Sequence, residues 1–253
     1  MGTQKTILYD DGKHRNVLLE DFSPPGAAVQ TNQHLILDGG EGLLLDPGGH
    51  KVYTKVLAAT FAELGGAGLK HIFLSHQDPD IVAAVNGWLM TTDATAHVSA
   101  LWTRFIPHFG LDRLVEKRLL PIPDEGQVLP LGASKVVLIP AHFLHSAGNF
   151  QLYDPISRIL YTGDLGASLD VEYAEVPDFD AHLPKMEGFH RRYMASRRAM
   201  QVWTRVARQL DIEILAPQHG AFFRGKAMVN RFVEWADGLE CGSDLLQVLR
   251  VPT

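Results

Sequence analysis

Short apolar runs separated by turn residues open the chain. Thr6–Tyr9 and Asn16–Leu19 read as strands around the turn Asp10-Asp11-Gly12-Lys13. Val29–Leu37 and Gly42–Leu45 flank Asp38-Gly39-Gly40-Glu41, a hairpin signal. Asp46-Pro47-Gly48-Gly49 then breaks the second strand of that pair. Over Tyr53–Leu64 the spacing becomes helical, with Val56, Leu57, Phe61 and Leu64 on one side and Gly65-Gly66 as the stop. Lys70–Leu74 is a strand, and Ile81-Val82-Ala83-Ala84-Val85 begins a helical pattern of about ten residues. Ala96-His97-Val98 is a weak strand, and Leu101–Phe109 a helix closed by Gly110.

Strand patterns return after Lys117, at Leu119–Ile122, Lys135–Ile139, Phe150–Tyr153 and Arg158–Tyr161, with turns at Glu125-Gly126 and Asp154-Pro155. Leu165–Gly188 is acidic and weakly periodic, and a connection of that length is more often functional than accidental. His190–Leu210 reads as a helix, Ile212–Ala216 as a buried strand and Gly225–Leu239 as a last helix. Strands followed by helices in both halves predict an α+β fold. Two β-rich layers pack together with helices outside, a four-layer αββα sandwich.

Composition narrows the function classes. Of the 253 residues, 46% are apolar and 21% charged, which is ordinary globular usage. A net charge of -6 and the lack of a dense Lys/Arg stripe argue against nucleic acid as a partner. The local basic cluster from His190-Arg191-Arg192 to Arg197-Arg198 reads as a solvated helix face. The single cysteine, Cys241, rules out a disulfide framework, a CxxC zinc site or an iron–sulfur cluster within one chain. Met1-Gly2-Thr3-Gln4-Lys5 lacks the apolar core of a signal peptide, and no run is long enough to span a membrane. A cytoplasmic protein is expected.

Candidate chemistry concentrates in Leu74-Ser75-His76-Gln77-Asp78-Pro79-Asp80. One His and two Asp recur at every second residue, which places three potential metal ligands in one strand-to-helix turn. The same residues also make a good helix start, with Asp as N-cap, Pro at the first helical position and Asp beside the positive end of the dipole. His142, His145, Asp164 and His219 each follow a strand and lie close to a glycine. Singly, each is as well explained by a turn. Together, in a sandwich whose loops converge at one edge, they predict a metal site. His142, Asp46 and Tyr193 are candidates for orienting ligands, with packing, a turn and core as their plainer roles. His34 and His71 lie in apolar runs and are expected in the core. His14, His50, His97, His108, His182 and His190 are assigned to structure or surface.

His76-x-Asp78-x-Asp80, then His145, Asp164 and His219, resembles the metallo-β-lactamase superfamily, and the likeness runs through nearly the whole chain as one domain, 1–253. The usual motif there is H-x-H-x-D-H. Here Asp78 stands in place of the second His and Ile81 in place of the last. A carboxylate at the second position resembles the flavodiiron proteins and their free-standing oxygen-binding relatives, which use H-x-E-x-D. Arg191-Arg192-Tyr193-Met194, Ile212–Gly220 and Phe222-Phe223-Arg224-Gly225 are similar to the same branch.

The resemblance implies a non-heme diiron centre. His76, Asp78 and His145 would hold one iron, Asp80 and His219 the other, and Asp164 would bridge them. Ile81 supplies no ligand, so the second metal keeps an open position. Three carboxylates bring about -3 of charge to two metals, which favours Fe(III) over a zinc pair, with zinc or manganese as the alternatives. The implied function is binding of O2 or NO. Reduction in that family draws electrons from a flavodoxin-like domain, for which a chain ending at Thr253 has no room, and rubredoxin cysteines are missing as well. Either a separate electron-donor protein makes the chain an oxidoreductase, or it senses O2 without turnover. The competing expectation is a dinuclear hydrolase of an ester, lactone, thioester or phosphoester, with Leu165–Gly188 shaping the pocket. A head-to-tail homodimer is carried by analogy alone.

Overall fold

Seven strands of the first half lie side by side in chain order: β1 (Lys5–Asp10), β2 (His14–Leu19), β3 (Gln33–Asp38), β4 (Glu41–Leu45), β5 (Gly68–Phe73), β6 (Thr95–Ser99) and β7 (Leu119–Ile122). This computed structural model describes residues 5–19, 22–23 and 29–247. β1 to β4 are antiparallel, and β4 to β7 run parallel. Parallel neighbours need crossovers, and these carry the helices. α1 (Tyr53–Leu64) joins β4 to β5, and α2 (Pro79–Val82) with α3 (Val85–Thr91) joins β5 to β6.

The second sheet contains β8 (Gln127–Leu131), β9 (Ser134–Pro140), β10 (Phe150–Asp154), β11 (Ile159–Gly163), β12 (Ile214–Pro217) and β13 (Phe223–Arg224), in the order β13-β12-β11-β10-β9-β8. Only β11 and β12 pair in parallel, and α4 (Phe179–Tyr193) and α5 (Arg197–Ala207) fill that crossover. α6 (Lys226–Gly238) follows β13.

Side chains alternate between two buried faces, so central strands read as unbroken apolar runs. On β4, Leu43 and Leu45 pack between the sheets with Phe73, Phe150, Leu152 and Ile214, whereas Leu44 packs outward with Val56 and Trp88. On β11, Ile159 and Tyr161 face the first sheet, and Leu160 joins Met186, Trp203 and Phe232 under the helices of the second half. The layers are therefore helix, sheet, sheet, helix, as expected. One buried polar knot crosses the interface: His14 Nε2 lies 2.7 Å from Asp154 Oδ2, and Asn16 and Ser157 donate to the same oxygen.

Several elements depart from expectation. The helix after the His76 motif is two pieces, separated at Ala83-Ala84, where Ala84 leaves helical geometry. Leu101–Phe109 forms turns and a short 3-10 helix, Ile106–Phe109. Pro107 lacks an amide donor there, and Leu101 and Phe105 face solvent instead of a core. The single helix over His190–Leu210 is also two, because Ser196 accepts from the amide of Ala199 and starts α5 afresh. α4 begins at Phe179, inside the stretch read as weakly periodic, with Asp178 accepting from the amide of Ala181. Pro184 within that helix masked the period. β3 starts at Gln33, so Val29–Asn32 is not strand, and β8 forms where the pattern predicts no strand. Residues 1–4, read for a leader signal, lie outside the described residues. Among the described residues no helix is long and apolar enough to cross a membrane.

Candidate metal centre

The chain turns that follow β4, β5, β9, β11 and β12 meet at one edge of the sandwich. Backbone bonds fasten them to one another. The amide of Phe150 donates to Ser75 O at 2.9 Å, that of Gln218 to Gly163 O at 2.8 Å, and that of Asp46 to Phe73 O at 2.9 Å. The turn after β5 supplies His76, Asp78 and Asp80. Asp78 is the N-cap residue of α2 with Pro79 behind it, but its side chain makes no cap bond. That leaves the carboxylate free for the cleft.

Two groups of side chains share one carboxylate. The potential donor atoms of His76, Asp78, His145 and Asp164 all lie within 4.8 Å of one another. His145 Nε2 is 3.0 Å from Asp164 Oδ2 and 3.5 Å from Asp78 Oδ2, and His76 Nε2 is 3.6 Å from Asp78 Oδ2. On the other side, His219 Nε2 is 3.4 Å from Asp164 Oδ1 and 3.5 Å from Asp80 Oδ2. Asp164 is buried at the end of β11, between the two groups.

The imidazoles are aimed by their other nitrogens. His219 Nδ1 donates to Gln30 O at 2.6 Å, and His76 Nδ1 lies 3.0 Å from Ser75 Oγ. Both bonds turn Nε2 toward Asp164, which is how ligating histidines are held. Asp46, at φ 47, accepts from the amide of Ser75 at 2.8 Å and so fixes the residue that touches His76. Burial pushes the Asp46 carboxyl up to about 6.

The electrostatics describe a cleft that calls for cations. Burial opposes ionisation of Asp164, but the imidazoles of His76, His219 and His145 outweigh it and hold that carboxyl well below the usual range. Burial likewise opposes charge on His145 and His219. The carboxylates of Asp164 and Asp78 nevertheless raise His145 to about 10, and those of Asp164 and Asp80 raise His219 to about 9. A bound dication would take the place of a proton on each ring that ligates it. Asp164 Oδ1 is buried with no hydrogen-bond partner, although three imidazoles surround its carboxylate. Three His and three Asp, with that oxygen lacking a hydrogen bond between them, fit a pair of metal ions of the iron class.

The predicted candidates fare differently. His76, Asp78, Asp80, His145, Asp164 and His219 converge, and Asp46 stands behind them. Tyr193 is 56% exposed, stacked on Phe189, with its ring centroid 5.8 Å from that of His145 in an edge-on arrangement. His142 turns away. Its ring packs edge-on against Phe150 with Nε2 4.0 Å from Asp124 Oδ1, and neither nitrogen has a hydrogen-bond partner among the described residues. His34 and His71 are buried, as expected. Sequence reasoning passed over Ser75 and Gln77, which flank His76 and bond to ligands, and His190, whose Nε2 accepts from the amide of Gly166 at 2.8 Å, two residues past Asp164. Their only signal was adjacency to the motif, and His190 had none.

The chain is 41% identical to the chemotaxis sensor ODP, a structure described as its peroxy diiron species, with a TM-score of 0.85 over 96% of this chain and 97% of that one. The apo state of chemotaxis sensor ODP from T. denticola is 40% identical, with the same TM-score and coverage. A flavo di-iron protein from Thermotoga maritima is 17% identical at a TM-score of 0.75, over 92% of this chain and 60% of that one, and that likeness speaks to the fold alone. No curated protein matches the chain. The family profile described as ODP family beta lactamase matches residues 29–220, three quarters of the sequence and all six converging residues. The chain therefore belongs to the ODP family of β-lactamase-like proteins.

Proposed function

We propose that this chain is a non-heme diiron protein that binds O2 or NO and serves as a sensor. The observation that carries the reading is Asp164, one buried carboxylate with His145 Nε2 3.0 Å from Oδ2 and His219 and His76 Nε2 3.4 and 3.7 Å from Oδ1, between a His–His–Asp group and a His–Asp group. His76, Asp78 and His145 would hold one iron, Asp80 and His219 the other, and Asp164 both. Bound iron supplies the redox chemistry toward O2 or NO. The protein contributes the rest. Ser75 and Gln30 keep Nε2 of His76 and His219 turned inward. Ile81 stands where the commoner motif carries a ligand and offers no donor atom, which favours a site with room for a small molecule.

Sensing is favoured over turnover by the 41% identity to a chemotaxis sensor across almost the full length of both chains. A single domain, a cytoplasmic setting and a head-to-tail dimer accompany this proposal, and an electron donor in trans belongs to the turnover alternative. The test is to load the protein anaerobically with Fe(II), confirm two irons per chain, and mix it with O2. A visible absorption change that persists, with O2 uptake stopping near one per site, supports the sensor. Continued O2 consumption with added reductant supports an oxidoreductase. Protein from its own host with two zinc ions and no iron, hydrolysing esters or lactones, would overturn the reading.

A further inference from the structure

Three residues outside the ligand set connect one ligand to the protein surface. Gln77 Nε2 donates to Asp78 Oδ1 at 3.0 Å, Ser146 Oγ donates to Gln77 Oε1 at 2.5 Å, and Trp102 Nε1 donates to Ser146 Oγ at 3.2 Å. The amide of Gly148 also donates to Ser146 Oγ, at 3.3 Å.

The chain has one permitted direction. An indole nitrogen can only donate, and a serine hydroxyl has two acceptor sites and one proton. Trp102 and Gly148 occupy both acceptor sites of Ser146, so its proton is left for Gln77 Oε1. The Gln77 amide is thereby fixed oxygen toward Ser146 and nitrogen toward Asp78. Its N–H then caps Oδ1 of Asp78. Oδ2 is the oxygen 3.5 Å from His145 Nε2 and 3.6 Å from His76 Nε2, on the side of the cleft. Gly148 makes the arrangement possible. A Cβ on Gly148 would stand 2.8 Å from Trp102 Nε1 and 2.7 Å from Ser99 Oγ.

We propose that Gln77, Ser146 and Trp102 are positioning residues for the metal site, locking the Asp78 carboxylate so that Oδ2 alone faces the metal. This rests on the diiron reading above and names what sets the geometry at the position where the family resemblance carries a longer Glu. Asp78 sits on a short side chain, and a free carboxylate there would rotate between its two oxygens. The Gln77 amide removes that freedom, and the rest of the chain removes it from Gln77.

The test uses Co(II), titrated into the full-length protein against a competing chelator, with the visible band of bound cobalt as a second readout. Gln77→Leu is expected to weaken the first-group cobalt by about 10–100-fold, the usual range for such supporting bonds, and to alter its visible band. The cobalt at Asp80 and His219 stays within about 2-fold, because no member of the chain touches it. Ser146→Ala and Gly148→Ala should each give part of the loss. The double variant Gln77→Leu/Ser146→Ala should bind no more weakly than Gln77→Leu alone, since both break one series. Circular dichroism and melting of the metal-free Gln77→Leu protein should match the parent.

A natively folded Gln77→Leu protein with parental cobalt affinity and spectrum would overturn the inference, as would equal losses at both metals. If Gln77→Leu does not fold, Gly148→Ala and Trp102→Phe decide the matter, and an unchanged first-group affinity in both counts against it. A parent protein that takes up no metal removes the diiron reading and this inference with it, which is distinct from a parent that loads and a variant that equals it.

Discussion

His145 Nε2 and Asp164 Oδ2 lie 3.0 Å apart, although the two side chains come from different turns of the second sheet. Asp164 also faces His219, so it is the group on which both halves of the cleft depend. Asp164→Asn keeps the shape and removes the charge. The expected outcome is loss of the second bound iron and a weakening of the first greater than the ~10–100-fold that supporting bonds alone contribute. Iron per chain after anaerobic loading and desalting is the measurement. Two irons retained at parental affinity would mean that Asp164 is not shared.

Asp78→His restores the donor that the superfamily uses more often at this position. One carboxylate fewer lowers the negative charge on the pair, and an imidazole suits zinc well. Zinc content should rise relative to iron in protein expressed with both metals supplied, and elemental analysis reads this directly. An unchanged ratio would show that position 78 does not set metal choice.

The His14–Asp154 pair makes a prediction about pH. Burial disfavours the charged His14 ring, but Asp154 and Asp38 outweigh it and raise the imidazole. Burial also disfavours ionised Asp154, and His14, Ser157 and Asn16 outweigh that and lower the carboxyl. A raised His stabilises fully below its unfolded value, near 6.5, and loses the contribution as pH climbs through the higher folded value. A lowered Asp stabilises above its unfolded value, near 3.9, and loses the contribution as pH falls. The pair therefore contributes most between about pH 4 and 6.5. His14→Gln should cost about 3–5 kcal/mol in that window, the usual consequence of stranding a buried charge, and less as pH rises beyond it. Urea denaturation of chelator-treated protein across pH gives the comparison, and a gap that widens toward alkaline pH would contradict it.

Ser196 separates α4 from α5. Ser196→Ala removes the side chain that accepts from the Ala199 amide, so a loss of about 1 kcal/mol in urea denaturation is expected. Were 190–210 one continuous helix, the same change would be neutral or stabilising, since alanine is the better helix former.

That last case shows what the sequence conveys and what it hides. The αββα layering was legible because strands buried on both faces, such as β4 and β11, leave continuous apolar runs with turn residues between them. α1 was legible to its last residue because Gly65 takes the left-handed cap. The boundary between α4 and α5 is hidden in the sequence because a serine cap takes one ordinary polar residue and leaves the apolar period nearly unbroken. In the site, the six converging side chains stood out as His and Asp placed after strands. Gln77, Ser146 and Trp102 did not, since a hydrogen bond between residues 69 apart leaves no local pattern. His142 misled for the opposite reason: three residues from His145 along the chain, it faces Phe150 instead of the cleft.

His76, Asp78 and Asp80 come from the first sheet's half of the chain, and His145, Asp164 and His219 from the second. Neither half owns more than a partial donor set. On the proposed ligand set, tight iron capture requires both halves to be folded and docked, so a nascent chain or a half-unfolded one would be spared premature loading. The same division would make iron a clamp between the halves, and the protection it gives against unfolding should grow with the logarithm of free iron concentration above its dissociation constant.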